Sequence, residues 1–457
     1  MQLKGIRWWV IALIALATII NYIDRQALSV LWPSIAEDLF PDKSAFERNQ
    51  IYATISVVFV FSYAFGQAIF GKIFDWLGTR LGFVLSIGVW SIATVLHAFA
   101  QGVLSFAIFR SILGVAEAGN WPGATKSNAD WFPAKERALA QGIFNSGAAI
   151  GGIISIPLIA WMALNNSWQT VFIVIGVIGL LWLIPWVILV KAPPKTHPWI
   201  TPEEREYILT GQKHSNTTEA AEDEYTPTTA ELLKHKESWG VIIASAAIDP
   251  IWWLFVVWTP IFLSDVYGMK LADIAQYGWV PYVGAMFGAW FGGLLAQNRF
   301  NAGWSTNKTR KLVITLGCFI MLPALMLMVQ PLFLETEYKY ISVVMTMAII
   351  LFGFQTAIGN VQTLPSDLFS KKTVGTLAGF AGMAAKFAVA GLIALVPILT
   401  RPDATTGETS YTLVFIIGAS LALIAIAAVW LLIPTVEPLK KSDNDSSEHS
   451  QPIQDKG

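Results

Sequence analysis

Apolar windows of about 20 residues recur along this chain from Trp8 to Pro434, and each is long enough to carry a helix across roughly 30 Å of hydrocarbon. Twelve are present, over approximately 8–33, 49–70, 81–99, 104–124, 137–162, 169–190, 239–264, 273–296, 311–332, 341–364, 374–399 and 410–433. Lipid offers no water to backbone N–H and C=O groups, so spanning segments satisfy them internally, as helices do. Of the 457 residues 54% are hydrophobic and 13% charged, far from a soluble composition. The expected fold is an all-α membrane protein with twelve transmembrane helices. Lys4 and Arg7 ahead of an apolar run imitate a signal peptide, but the run continues through Asp24 and Arg25 to Trp32 without a cleavage site and reads as an uncleaved first helix.

Other function classes find little support. Cys318 is the single cysteine and lies in an apolar span, so no internal disulfide forms. His97, His197, His214, His235 and His449 show no metal-ligand spacing, and no nucleophile with a base and no nucleotide loop is apparent. The chain is expected to be no enzyme, to need no metal or cofactor, and to bind no nucleic acid.

With both termini placed in the cytoplasm, 22 of the 30 Lys and Arg residues fall in cytoplasmic segments, while Lys43, Arg48, Lys270, Lys339 and Arg401 fall on the opposite side. That asymmetry sets the expected orientation. Residues 191–238 form the one long polar connection, a linker between an N-terminal six-helix bundle (1–190) and a C-terminal one (239–433). The charged, Ser-rich segment 434–457 reads as a disordered cytoplasmic tail. NADWFPAKERALAQG from Asn128 matches PSDLFSKKTVGTLAG from Pro365, pairing Asp130 with Asp367, Phe132 with Phe369, Lys135 with Lys372 and Gly142 with Gly379. Each segment lies between the fourth and fifth helix of its half, as duplicated halves around a central site require; two unrelated basic turns are the plainer explanation.

Charges inside apolar spans are the residues hardest to explain as structure: Asp24 and Arg25 in the first, Arg110 and Glu117 in the fourth, Lys386 in the eleventh. Each costs roughly 2.5 to 3.5 kcal/mol at mid-bilayer, so together they cost on the order of 15 kcal/mol unless paired or facing water. Arg110 and Glu117 are two turns apart on nearly one face, and Tyr22, Arg25 and Ser29 share a stripe beside Asn21 and Asp24. An Arg fork matches a carboxylate, whereas a carboxylate takes up and releases a proton. Arg25 and Arg110 are therefore candidate anion ligands, and Asp24 and Glu117 candidate proton carriers. Static salt bridges, Asp24 with Arg110 or Arg25 with Glu117, are the alternative. Lys386 is either a third positive group at the cavity or a snorkelling side chain.

Polar and aromatic stripes surround these charges: Ser56, Tyr63 and Gln67, then Asn145, then Trp252 and Thr259, then Tyr282, then Gln355, Asn360 and Gln362. Tyr63, Asn145, Gln355 and Asn360 are candidate contacts for a polyhydroxylated substrate; helix-to-helix hydrogen bonds are the alternative. Asp249 before Pro250 is open to both readings too, a polar group at the site or the cap of a kinked helix. The small-residue runs Gly142–Gly152 and Gly375–Gly382 permit close helix approach.

The turn GKIFDWLGTR, with Gly71, Asp75, Gly78 and Arg80, resembles the signature between the second and third helices of the major facilitator superfamily, though Trp76 stands where a basic residue commonly follows the Asp. NYIDR at Asn21, FRSILGVAEAGNWPGATK at Phe109 and DWFPAKERALAQGIFNSGAAIG at Asp130 resemble the anion:cation symporter family within it, nearest its hexuronate transporters; IDPIWW at Ile248 and DLFSKKTVGTLAGFAG at Asp367 extend the similarity. The resemblance implies two pseudo-symmetric six-helix bundles and a bacterial inner-membrane location. It implies that Tyr22, Arg25, Tyr63 and Arg110 contact a substrate anion, that Asp24 and Glu117 carry protons, and that Asp75 and Arg80 belong to a cytoplasmic gate latch. Lys386 departs from the small residue expected there.

The expected function is proton-coupled symport of a sugar acid such as glucuronate or galacturonate by a monomer in the lipid bilayer. Asp24, Arg25, Arg110, Glu117 and Lys386 sum to plus one when both carboxylates are ionised, and protonation makes the cavity more attractive to an anion. Sodium coupling, anion exchange and a non-transporting sensor are the rival expectations.

Overall fold

The computed structural model describes residues 4–133, 136–216, 227–329, 338–369, 371–402 and 409–438. The elements in chain order are α1 (Ile6–Leu39), α2 (Ala45–His97), α3 (Val103–Glu117), α4 (Asn120–Trp131), α5 (Arg137–Asn165), α6 (Trp168–Leu189), α7 (Pro202–Asn216), α8 (Thr229–Leu232), α9 (Lys236–Tyr267), α10 (Leu271–Tyr277), α11 (Val280–Asn301), α12 (Thr306–Val329), α13 (Lys339–Leu368), α14 (Lys371–Leu399) and α15 (Thr412–Ala427), which runs on as a π-helical turn, Ala428–Leu432. No strand occurs among the described residues.

Among the described residues, eleven helical stretches are long and apolar enough to cross a membrane. One of them, α2, has 53 residues, about 80 Å of helix, more than twice the hydrocarbon thickness. It is two crossings, because Gly78 takes φ 75° and ψ 175°, a left-handed-side conformation that suits glycine. Twelve crossings result. GKIFDWLGTR, expected as a ten-residue turn, is helical apart from this single break. The fourth crossing is two helices, α3 and α4, because Pro122 has no N–H to continue the ladder. Glu117 therefore sits at the end of a helix rather than inside one.

Two halves face each other, and their internal repeat is visible in backbone geometry. α4 ends at Phe132 (φ −121°, ψ 139°), whose N–H donates to Asn128 O, and α13 ends at Phe369 (φ −129°, ψ 158°), whose N–H donates to Pro365 O. Each Phe packs on a ring at the start of its half's first helix: Trp8 at 5.1 Å and His235 at 6.0 Å. The match of Asp130, Phe132 and Gly142 with Asp367, Phe369 and Gly379 thus reflects equivalent positions; the Lys135–Lys372 part of it lies outside the described residues. Outward-facing Trp161, Phe287 and Leu423 are more than half exposed or close to it, with many other large apolar side chains, as a lipid-facing surface requires.

Glycine sets how closely neighbouring helices approach. A Cβ on Gly284, Gly288 or Gly292 of α11 would stand 2.1, 2.2 or 2.6 Å from carbonyl oxygens of α13. Gly66 and Gly114 do the same between α2 and α3. The run ending at Gly152 behaves as expected, with Gly147 against Ala15 O and Gly151 against Tyr22. The run Gly375–Gly382 does not: nothing lies within 4 Å of where a Cβ would stand on Gly375, Gly379 or Gly382.

The connection 191–238 is more than a spacer. Its helix α7 docks on the N-terminal half: Glu204 accepts the N–H of Gly5 at 2.7 Å and of Ile6 at 3.3 Å, so a carboxylate from the linker caps α1. Arg7 bonds Glu204 at 2.8 Å and Glu136 at 3.0 Å, and the Tyr207 hydroxyl donates to Glu136 at 2.9 Å. His197 is buried beside Trp131, and desolvation holds its imidazole below the usual histidine range. The start of the expected tail also packs, with Val436 N–H on Asn307 and Lys311 on Pro434 O; residues 439–457 lie outside the described set.

Candidate transport site

Between the halves, the charges singled out from the sequence form one cluster. Arg25 sits deep in α1, and its Nε and Nη2 donate to Glu117 Oε2 at 3.3 and 3.1 Å. Nη2 also donates to Asn21 Oδ1, one turn back, at 3.0 Å. The side chains of this pair are 5% and 0% exposed, so each charge is compensated almost entirely by the other. Aromatic rings enclose Arg25: its guanidinium carbon is 5.0 Å from the Tyr22 centroid, 5.1 Å from Tyr63, 5.0 Å from Trp253 and 5.9 Å from Phe59. Trp253 belongs to α9, so the cage joins both halves.

Arg110 lies 5.5 Å from the same Phe59 ring, and only 3% of it is exposed. Its Nε and Nη2 have no hydrogen-bond partner. Asp24 accepts from the Thr94 hydroxyl through Oδ2, while its Oδ1 is unpartnered, as is Glu117 Oε1. Asp24, Glu117, Arg25 and Arg110 act on one another through their charges. Of the two static bridges considered from sequence, Arg25–Glu117 forms and Asp24–Arg110 does not. Arg110 is attracted by the charges of Asp24 and Glu117, but buried N–H groups without an acceptor are penalised in a low-dielectric interior, and an anion would satisfy them.

Lys386 reaches the same aromatic wall from α14, its ammonium 5.1 Å from Trp253, and it donates to Asp249. Asp249 is thus a charge partner rather than the cap of a kink. Trp252 stacks on Phe354 at 5.5 Å and meets Tyr22 and Tyr282 edge-on; the Tyr282 hydroxyl and Thr259 Oγ1 are buried without partners.

Not every candidate joins the cluster. Asn145 is exposed and accepts from Gln141 at 3.2 Å. Gln355 is half-buried next to Phe354. Asn360 accepts from Arg310 at 2.9 Å while Arg310 bonds Asp367 at 2.8 Å, near the end that carries the termini. Asp75 pairs with Lys126 of α4 at 3.0 Å rather than with Arg80, whose backbone oxygen accepts from Trp186. Trp253, Phe59 and Thr94 escaped the sequence reading because an aromatic or hydroxyl in an apolar span looks like packing; only the four-residue step from Asp249 to Trp253 pointed to a shared face.

Hydrogen bonds between the halves lie at the end away from the termini. Asn49 donates to Asp265 at 3.1 Å and Tyr52 to Val257 O at 2.5 Å, with Arg401 against Phe46 at 5.4 Å.

The model of the Major Facilitator Superfamily matches residues 14–395. The chain belongs to that superfamily. A hexuronate transporter of Escherichia coli strain K12 is 31% identical over 451 residues, covering 97% of this chain and 98% of that protein. A galacturonate transporter of Dickeya chrysanthemi is 32% identical over 324 residues, covering 70% and 90%. A solved D-xylose–proton symporter shares the fold with TM-score 0.69 at 15% identity, covering 93% of this chain and 98% of that one. This superfamily member is therefore a multi-pass membrane transporter and not an enzyme, and its two pseudo-symmetric six-helix bundles are the superfamily's fold.

Proposed function

We propose that this chain is a proton-coupled symporter that imports a sugar acid anion, a hexuronate such as glucuronate or galacturonate, across the bacterial inner membrane. The observation that carries the reading is Arg110, a buried cation whose Nε and Nη2 have no hydrogen-bond partner, together with the carboxylates of Asp24 and Glu117 that each keep an unpartnered oxygen. A substrate carboxylate completes the guanidinium bidentately. The hydroxyl of Tyr282 and the indole walls suit the sugar. Similarity to hexuronate and galacturonate transporters supports the same substrate class.

Coupling follows from the shared charges. Glu117 accepts from Arg25; an anion near Arg25 and Arg110 competes for the same N–H groups, and a protonated Glu117 or Asp24 gives them up. Substrate and proton thus favour each other's binding through one equilibrium. The halves 1–190 and 239–433 rock about the site, with 191–238 joining them. Cytoplasmic termini, as the basic residues indicate, place the Asn49–Asp265 and Tyr52–Val257 contacts on the outer side of the site. Uptake of labelled glucuronate and galacturonate into proteoliposomes under an imposed pH gradient tests this. Accumulation driven by the gradient without sodium supports it; uptake of neither acid overturns the substrate class, and uptake dependent on sodium alone overturns the proton.

A further inference from the structure

The Lys386–Asp249 pair differs from the Arg25–Glu117 pair in one respect that bears on selectivity. Its side chains are 14% and 17% exposed, against 5% and 0%. Gly375, Gly379 and Gly382 precede Lys386 along one face of α14 with free space at each Cβ position, so an open track leads up to the lysine. Asp249 and Trp253 project from one face of α9, and the Trp253 ring is shared by Lys386 at 5.1 Å and Arg25 at 5.0 Å. A ligand whose carboxylate lies at the arginines extends its other end past Trp253 toward this pair.

Counting Asp249, the site holds three cations and three carboxylates, net zero when all are ionised. One added proton makes it plus one, which one carboxylate neutralises. We propose that Asp249 is a specificity-determining residue: by neutralising Lys386 it restricts the site to singly charged sugar acids and rejects doubly charged aldaric acids, which carry a carboxylate at both ends. The proposal rests on the sugar acid reading above. The ion pair offers a hydroxyl both donors and acceptors, whereas a second carboxylate meets the like charge of Asp249, a repulsive element of the kind that separates close analogues.

Equilibrium binding of D-glucuronate and D-glucarate to the purified full chain tests it, in wild type, Asp249→Asn and the double variant Asp249→Asn/Lys386→Gln. The wild type binds glucuronate the more tightly; Asp249→Asn moves the affinity ratio toward glucarate by on the order of tenfold or more; the double variant returns it toward glucuronate. Asp249→Ser gives the same reading if the asparagine variant does not fold. A ratio in these variants unchanged from a wild type that binds glucuronate, or a wild type that prefers glucarate, overturns the charge rule alone. A wild type that binds neither acid overturns the sugar acid reading and the rule with it.

Discussion

Replacing Arg110 with methionine separates a ligand-binding cation from a structural one, because the two roles predict opposite changes in two measurements. The side chain is 3% exposed, and its Nε and Nη2 meet no protein hydrogen-bond acceptor. Leaving such groups buried and unsatisfied costs about 1–3 kcal/mol, which methionine of similar length removes. The lost attraction to Asp24 and Glu117 subtracts from that gain, so the empty protein is expected to unfold at an unchanged or higher temperature. Binding changes the other way: deleting one partner of a buried charge pair costs about 2–5 kcal/mol, or roughly 30-fold to several thousandfold in Kd for the sugar acid. Thermal unfolding and equilibrium binding on the same preparation check both. A lowered unfolding temperature with an unaltered Kd would refute the assignment and make Arg110 a strut between helices.

Glu117→Gln keeps an acceptor for Arg25 but removes the charge, so proton-driven accumulation is expected to vanish while substrate counterflow between equal pH compartments persists; accumulation equal to wild type removes Glu117 from coupling. Asn49→Cys with Asp265→Cys, at a contact of 3.1 Å, is expected to cross-link on oxidation and stop transport, while Gly379→Cys stays open to a thiol reagent from the side of the termini; transport surviving the cross-link shows that this contact does not have to open. For the linker, burial depresses the His197 pKa, so its folded form stays neutral. The stability this gives is full above the ordinary histidine value and is lost as pH falls toward the folded one. Proteolytic protection of the 191–216 segment is therefore expected to weaken from pH 7 to 5 and to depend less on pH in His197→Gln; identical profiles would remove His197 as the cause.

The sequence by itself determined the solvent, the number of crossings and the charges that matter. Lipid forces helices and imposes their length, and a charge in hydrocarbon is too costly to sit there without a partner, so Asp24, Arg25, Arg110, Glu117 and Lys386 stood out from a single chain. Tertiary structure alone decided which charge meets which. Arg25 takes Glu117, 92 positions away, Lys386 takes Asp249, 137 away, and Arg110 is left with free N–H groups. Pairing depends on how helices rotate and cross, which periodicity leaves open, because the same face can turn toward several neighbours. For that reason Asn360 looked like a substrate contact and belongs to Arg310, Asp249 looked like a cap and holds a lysine, and the connection 191–238 looked like a spacer while its Glu204 caps the first helix.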